Sequence, residues 1–80
     1  MNVVYSPRFK AQYDQLPPTA QTRFRLIDAQ VKEGDLSVLR QNAWVYCAGI
    51  GGGFIAWGTK QNNEFYWRSV DVAAMVPVIL

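Results

Sequence analysis

The segment WVYCAGIGGGFIAWGTKQNNEFYWRSV, residues 44–70, decides the fold predicted for this chain. It contains three runs rich in aromatic and β-branched residues, which are typical of strands. A glycine triplet at 51–53 separates the first two runs, and Gln61-Asn62-Asn63 separates the last two. Glycine and asparagine both tolerate the backbone angles of tight turns. The segment therefore predicts a three-stranded antiparallel meander, with large side chains on both faces.

The residues before this segment predict one short strand and then a first helix. Val3 to Tyr5 is a short apolar run that reads as a strand. Ser6 is placed to cap the helix, and Pro7 suits its first position because proline lacks the N–H that would be unpaired there. Pro17-Pro18 ends this helix, since proline restricts the residue before it and cannot donate a backbone hydrogen bond.

A second helix has the clearest periodicity in the chain. Thr19 is its predicted N-cap, and Gly34 is its predicted left-handed C-terminal cap. Residues 35–43 are predicted to form a connecting loop. Apolar residues recur along the helix at Ala20, Phe24, Ile27 and Val31. The whole pattern predicts an α+β fold in a single domain spanning residues 1–80, with an N-terminal strand, a two-helix hairpin and then the meander.

The composition favours a small soluble domain of the cytoplasm. Hydrophobic residues make up 50% of the chain, which is ample for a core. Its single cysteine cannot form an internal disulfide, so a reducing compartment fits best. No apolar run is long enough to span a bilayer, and no signal-peptide pattern is present, so no membrane partner is expected.

The residue types also limit the chemistry. The chain has no histidine, so any catalysis must use Lys, Arg, Tyr or a carboxylate. No metal-ligand or nucleotide-binding motif is present, so we expect neither a metal nor a cofactor. The net charge of +2 neither proves nor excludes a nucleic-acid partner.

The order of these elements resembles the RelE/ParE toxin superfamily of bacterial type II toxin–antitoxin systems. The resemblance covers most of the chain. The segments that carry it are Val4-Tyr5-Ser6-Pro7-Arg8-Phe9, Leu16-Pro17-Pro18, Trp44-Val45-Tyr46, Gly53-Phe54-Ile55 and Phe65-Tyr66-Trp67-Arg68.

The resemblance implies a RelE-like, microbial RNase-like fold whose concave sheet face holds mRNA in the ribosomal A site. Cleavage there is attack of a ribose 2′-hydroxyl on the adjacent phosphate, which needs a proton acceptor, cations and a proton donor. The implied catalytic residues are Arg68, Lys60 and Tyr66. The implied RNA-binding residues are Arg40 and Tyr46.

The chain departs from the family pattern at two positions. Cys47 and Ile55 stand where the family commonly has basic residues, which puts cleavage in doubt because the chemistry relies on charge stabilisation. Two alternatives therefore stay open. One is a ParE-like inhibitor of DNA gyrase, and the other is a non-catalytic domain that keeps the fold for protein binding or assembly.

Two further expectations concern apolar side chains. We expect at least two of Trp44, Trp57 and Trp67 to fill the core, and Cys47 to be a small buried residue. The end of the chain is apolar and is predicted to contact a protein by strand addition or hydrophobic docking, either the cognate antitoxin or a second copy in a homo-oligomer. The residues of this predicted contact are Met75, Val76, Val78, Ile79 and Leu80.

Overall fold

The computed structural model describes residues 1–72, which form two helices and five strands. The elements in chain order are β1 Asn2–Tyr5, α1 Pro7–Asp14, α2 Pro18–Lys32, β2 Arg40–Asn42, β3 Val45–Gly51, β4 Phe54–Gln61 and β5 Glu64–Val72. The α+β class, the N-terminal strand and the two helices are confirmed.

The sheet differs from the predicted three-stranded meander because a strand is added at each edge. Its order is β1-β5-β4-β3-β2, with β1 parallel to β5 and every other pair antiparallel. β2 lies where a loop was predicted. Its sequence, Arg-Gln-Asn, has no strand pattern, and pairing with β3 makes it a strand.

The helix boundaries follow local capping chemistry with one exception. Ser6 Oγ accepts the backbone N–H of Phe9 at 3.0 Å, so the predicted cap of α1 is confirmed. Gly34, at φ +88°, donates its N–H to the Val31 carbonyl at 2.9 Å and ends α2 as predicted. The predicted N-cap Thr19 is wrong. α2 already begins at Pro18, because proline has helical φ and needs no donor in the first turn.

Both helices pack on one face of the sheet around an aromatic core. The ring of Phe24 lies 4.9 Å from the rings of Phe9 and Trp67, and Phe65 lies 4.8 Å from Trp67. Trp67 is fully buried. We call the other side, which the helices do not cover, the open face.

The expectation that two tryptophans fill the core is wrong. Trp67 does so, whereas Trp44 is 69% exposed. Trp57 points to the open face and lies opposite Cys47 of the neighbouring strand β3. The reason is register. Phe54 and Ala56 of β4 face the helices, and Trp57 falls on the opposite side of the pleat.

A β-bulge in β5 changes which residues reach the open face. Trp67 pairs with Gly58 and Ser69 with Trp57. Arg68, between them, is therefore an extra residue that lies opposite no residue of β4 in the strand register. Such a bulge re-aims side chains locally. Arg68 and Ser69 both contact open-face groups, while Val70 returns to the core.

Gly58→Ala should destabilise the protein by about 1–3 kcal/mol, because the added methyl overpacks the sheet. A Cβ at this position would lie 2.3 Å from the Tyr66 carbonyl oxygen and 2.7 Å from the Phe65 ring. Urea unfolding followed by circular dichroism measures the change. The matched control is Gly49→Ala on β3, where an added Cβ meets nothing within 4 Å. Equal unfolding midpoints for the two variants would contradict this packing.

Candidate functional site

Arg68 is fixed on the open face by two contacts. Its Nε donates to Thr59 Oγ1 at 3.0 Å, and its guanidinium carbon lies 4.9 Å from the centre of the Tyr66 ring. Thr59 is itself buried, so it gives the bond a rigid base. The bond uses one of the five donors of the guanidinium, and the side chain is exposed. Arg68 is therefore a positioned cation on the face that the helices leave open.

Arg68 borders an open hollow of about 450 Å³, which we call the tryptophan hollow. None of the lining residues from the described range 1–72 carries a carboxylate. Trp44 stands at the tip of the β2–β3 hairpin, directly after Ala43, which has φ +56°. The lining residues are Trp44, Trp57, Thr59, Lys60, Gln61 and Arg68.

The ring of Trp57 is held in place by a carboxylate at the end of β5. Its Nε1 donates to Asp71 Oδ2 at 2.6 Å, and Ser69 Oγ donates to the same oxygen at 2.9 Å. Ser69 reaches this side because of the bulge. This arrangement could not be predicted from local sequence patterns, since it depends on how β4 and β5 pair.

Tyr66 forms a hydrogen-bonded group with Glu64 and Asn2. The Tyr66 hydroxyl donates to Glu64 Oε1 at 2.6 Å, and Asn2 Nδ2 donates to Glu64 Oε2 at 2.7 Å. The bond to Glu64 raises the pKa of Tyr66, and the bonds from Tyr66 and then Asn2 lower the pKa of Glu64. At neutral pH, Tyr66 therefore keeps its proton and Glu64 is an ionised acceptor.

Glu64 was not among the residues predicted for the site. Its position two residues before Tyr66 on one strand is the signal that would have found it, since alternate residues of a strand share a face.

The other predicted site residues lie at different distances from Arg68. Lys60 borders the tryptophan hollow, but its ammonium donates to the Asn62 carbonyl at 2.8 Å in the β4–β5 turn. Arg40 is on the open face opposite Cys47, on β2, which is three strands and about 14 Å from β5. Tyr46 faces the helices, with its ring 5.7 Å from that of Phe65, so it does not join Arg68.

The two positions that depart from the family pattern are buried. Cys47 is 2% exposed and Ile55 is 6% exposed, and their register places both on the open face. Burial raises the pKa of the Cys47 thiol, and the charge of Arg40 opposes this more weakly. The predicted burial of Cys47 is confirmed. Neither residue supplies a positive charge to the face that carries Arg68.

Residues 1–72 include no helix long and apolar enough to cross a membrane. Within the same range, His, Cys, Asp and Glu side chains form no group of three or more that could hold a metal ion. The predicted protein contact at Met75, Val76, Val78, Ile79 and Leu80 lies outside the described residues.

Comparison with known proteins gave no match: no family model, no curated protein and no solved structure is significantly similar to this chain.

Proposed function

We propose that this protein is a RelE-like toxin of a type II toxin–antitoxin system, which cleaves mRNA on the ribosome. The observation that carries the proposal is Arg68, held over Tyr66 and against Thr59 beside a hollow lined by two tryptophans. A fixed guanidinium suits a phosphate, and an aromatic ring such as that of the exposed Trp44 suits the splayed bases of single-stranded RNA. The toxin acts in the cytoplasm and is neutralised by a cognate antitoxin.

The chemistry is transfer of the phosphate from the 5′-oxygen to the neighbouring 2′-oxygen. The bond from O2′ to phosphorus forms, the bond from phosphorus to O5′ breaks, and Arg68 stabilises the charge on the phosphoryl oxygens. Glu64 accepts the proton of the 2′-hydroxyl, and Tyr66 donates its own proton to O5′. The proton on Glu64 then returns to Tyr66 through the hydrogen bond of 2.6 Å between them.

Arg68→Ala should lower the rate of mRNA cleavage by about 10²–10³-fold, which is the usual effect of removing one group that stabilises a transition-state charge. The measurement is primer extension on mRNA in a bacterial translation extract, with and without ribosomes. The matched control is Arg8→Ala, an exposed arginine of α1, which should cleave at the unaltered rate. Intact mRNA with the unaltered protein and active ribosomes would refute the proposal.

A second candidate is a ParE-like inhibitor of DNA gyrase. The observation in its favour is that Cys47 and Ile55 are buried apolar residues on the open face, where RNA cleavage would be helped by cations. A supercoiling assay with stoichiometric protein separates the two candidates. Inhibition of supercoiling together with intact mRNA would replace the first candidate with the second.

A further inference from the structure

Trp44 is exposed to a degree that is unusual for a large apolar side chain. Its ring is 69% exposed at the tip of a hairpin whose first strand has only three residues. Gln41 Nε2 donates to the carbonyl of Ala43 at 3.0 Å and ties the turn together. The turn therefore holds the indole out in solvent at the rim of the tryptophan hollow, where it does not contribute to the core.

Trp57 is the second aromatic surface of the same hollow. Its indole N–H is held by Asp71, so the ring plane is fixed before any ligand arrives. In residues 1–72, neither Trp44 nor Trp57 stacks on another aromatic ring, whereas the core rings contact one another. The exposed ring of Trp44 and the half-buried ring of Trp57 therefore both border the hollow without an aromatic partner from the described residues.

The charges around the hollow restrict what that planar group can be. Among the described residues 1–72, the charged side chains that line it are Arg68 and Lys60, and none of the lining side chains is acidic. A cationic ligand is disfavoured beside Arg68, and an apolar peptide would leave the guanidinium without an anion. A planar group that carries a negative charge nearby satisfies both the rings and the guanidinium. A volume of about 450 Å³ also lies within the usual range of ligand sites.

We propose that the tryptophan hollow binds a base of single-stranded RNA between Trp44 and Trp57, with Arg68 on the adjacent phosphate. Base stacking on aromatic side chains supplies much of the affinity of single-strand binding, and a positively charged groove follows the backbone. The inference rests on the proposed function in taking RNA as the ligand. It adds two residues, Trp44 and Trp57, that hold the strand without taking part in cleavage.

The test is fluorescence anisotropy with labelled 2′-O-methyl oligoadenylate, a single strand that cannot be cleaved because its 2′-hydroxyls are blocked. Trp44→Ala should weaken binding about 5- to 150-fold, which is the effect of losing one stacking contact. Trp44→Phe should restore most of the affinity, because it keeps an aromatic face. The matched control is Leu26→Ala on α2, which removes a side chain that is 68% exposed and should leave binding unchanged.

Polyphosphate separates base recognition from simple charge attraction, since it has the same anionic groups without bases. Arg68→Ala should weaken binding of both polymers, whereas Trp44→Ala should weaken only the oligoadenylate. Equal binding of oligoadenylate by Trp44→Ala and the unaltered protein would overturn the inference. Competition from polyphosphate as strong as that from RNA would also overturn it. The same holds if a protein partner protects Trp44 and the protein binds no RNA.

The outcomes for binding and for cleavage are independent of each other. Tryptophan-dependent binding of the blocked strand without any mRNA cleavage would support this inference and refute the proposed nuclease. Cleavage by the unaltered protein, with no effect of Trp44→Ala on binding, would support the proposed nuclease and refute this inference. All titrations are compared at one salt concentration, because phosphate contacts weaken steeply as salt rises.

Discussion

Trp67→Ala should remove about 3–5 kcal/mol from the free energy of unfolding, one of the two largest losses that we expect from a single change in this protein. Trp67 is fully buried, and its ring lies within 6 Å of the rings of Phe9, Phe24 and Phe65. The total free energy of unfolding is small, about 4–12 kcal/mol for a chain of 80 residues. The variant should therefore be barely folded at room temperature.

Urea unfolding followed by far-ultraviolet circular dichroism checks this expectation without using tryptophan as the reporter. Trp44→Ala is the matched control, because it deletes the same side chain where it is 69% exposed and should change the midpoint little. The unfolding midpoint of Trp67→Phe should lie between those of the two alanine variants, since it keeps an aromatic ring but loses the indole N–H. If Trp67→Ala and Trp44→Ala unfolded at the same urea concentration, the assignment of the core would be wrong.

Asp28→Ala should cost about 2–6 kcal/mol, because it leaves two donors without their acceptor at about 1–3 kcal/mol each. Asp28 is 6% exposed on the buried side of α2. Its Oδ1 accepts from Trp67 Nε1 at 2.9 Å, and its Oδ2 accepts from the Tyr5 hydroxyl. Burial, followed by the bond to Asp28, raises the pKa of Tyr5, so this hydroxyl stays protonated and needs an acceptor.

Thermal and urea unfolding of three variants tests this role. Asp28→Asn should lose much less stability than Asp28→Ala, because the amide oxygen still accepts the indole N–H. Asp14→Ala, which removes an exposed carboxylate from α1, should be close to neutral. Since Asp28 and Trp67 touch, the double variant Asp28→Ala with Trp67→Phe should lose less than the sum of the single losses. Strict additivity would show that the bond between them does not stabilise the fold.

The parts of the fold that follow from neighbouring residues could be predicted from the sequence. Ser6 and Pro7 begin α1, and Gly34 ends α2, because each acts on backbone groups within a few positions. The three strands β3, β4 and β5 also follow from their composition and their turns. β2 could not be predicted in this way, since Arg40–Asn42 is polar and becomes a strand only beside β3.

The members of the candidate site could be predicted where strand alternation alone determines which face a side chain is on. Arg68 and Tyr66 were both expected there, and they are in contact. The position of Trp57 depends on the strand register, and the position of Ser69 depends on the bulge. Neither the register nor the bulge can be predicted from the local sequence pattern. Tyr46 illustrates the same limit, because a shift of one residue in β3 would have placed it on the open face, opposite Thr59.

The parallel pairing of β1 with β5 has a consequence for how the protein is made. Asn2 lies beside Glu64 and Tyr5 beside Trp67, and in the described chain β5 is the strand to which β1 pairs. During synthesis, the first strand must therefore wait until β5, at Glu64–Val72, has left the ribosomal tunnel. Closing so long a loop is slow, so the pairing of β1 with β5 is expected to be a late step in the assembly of the sheet.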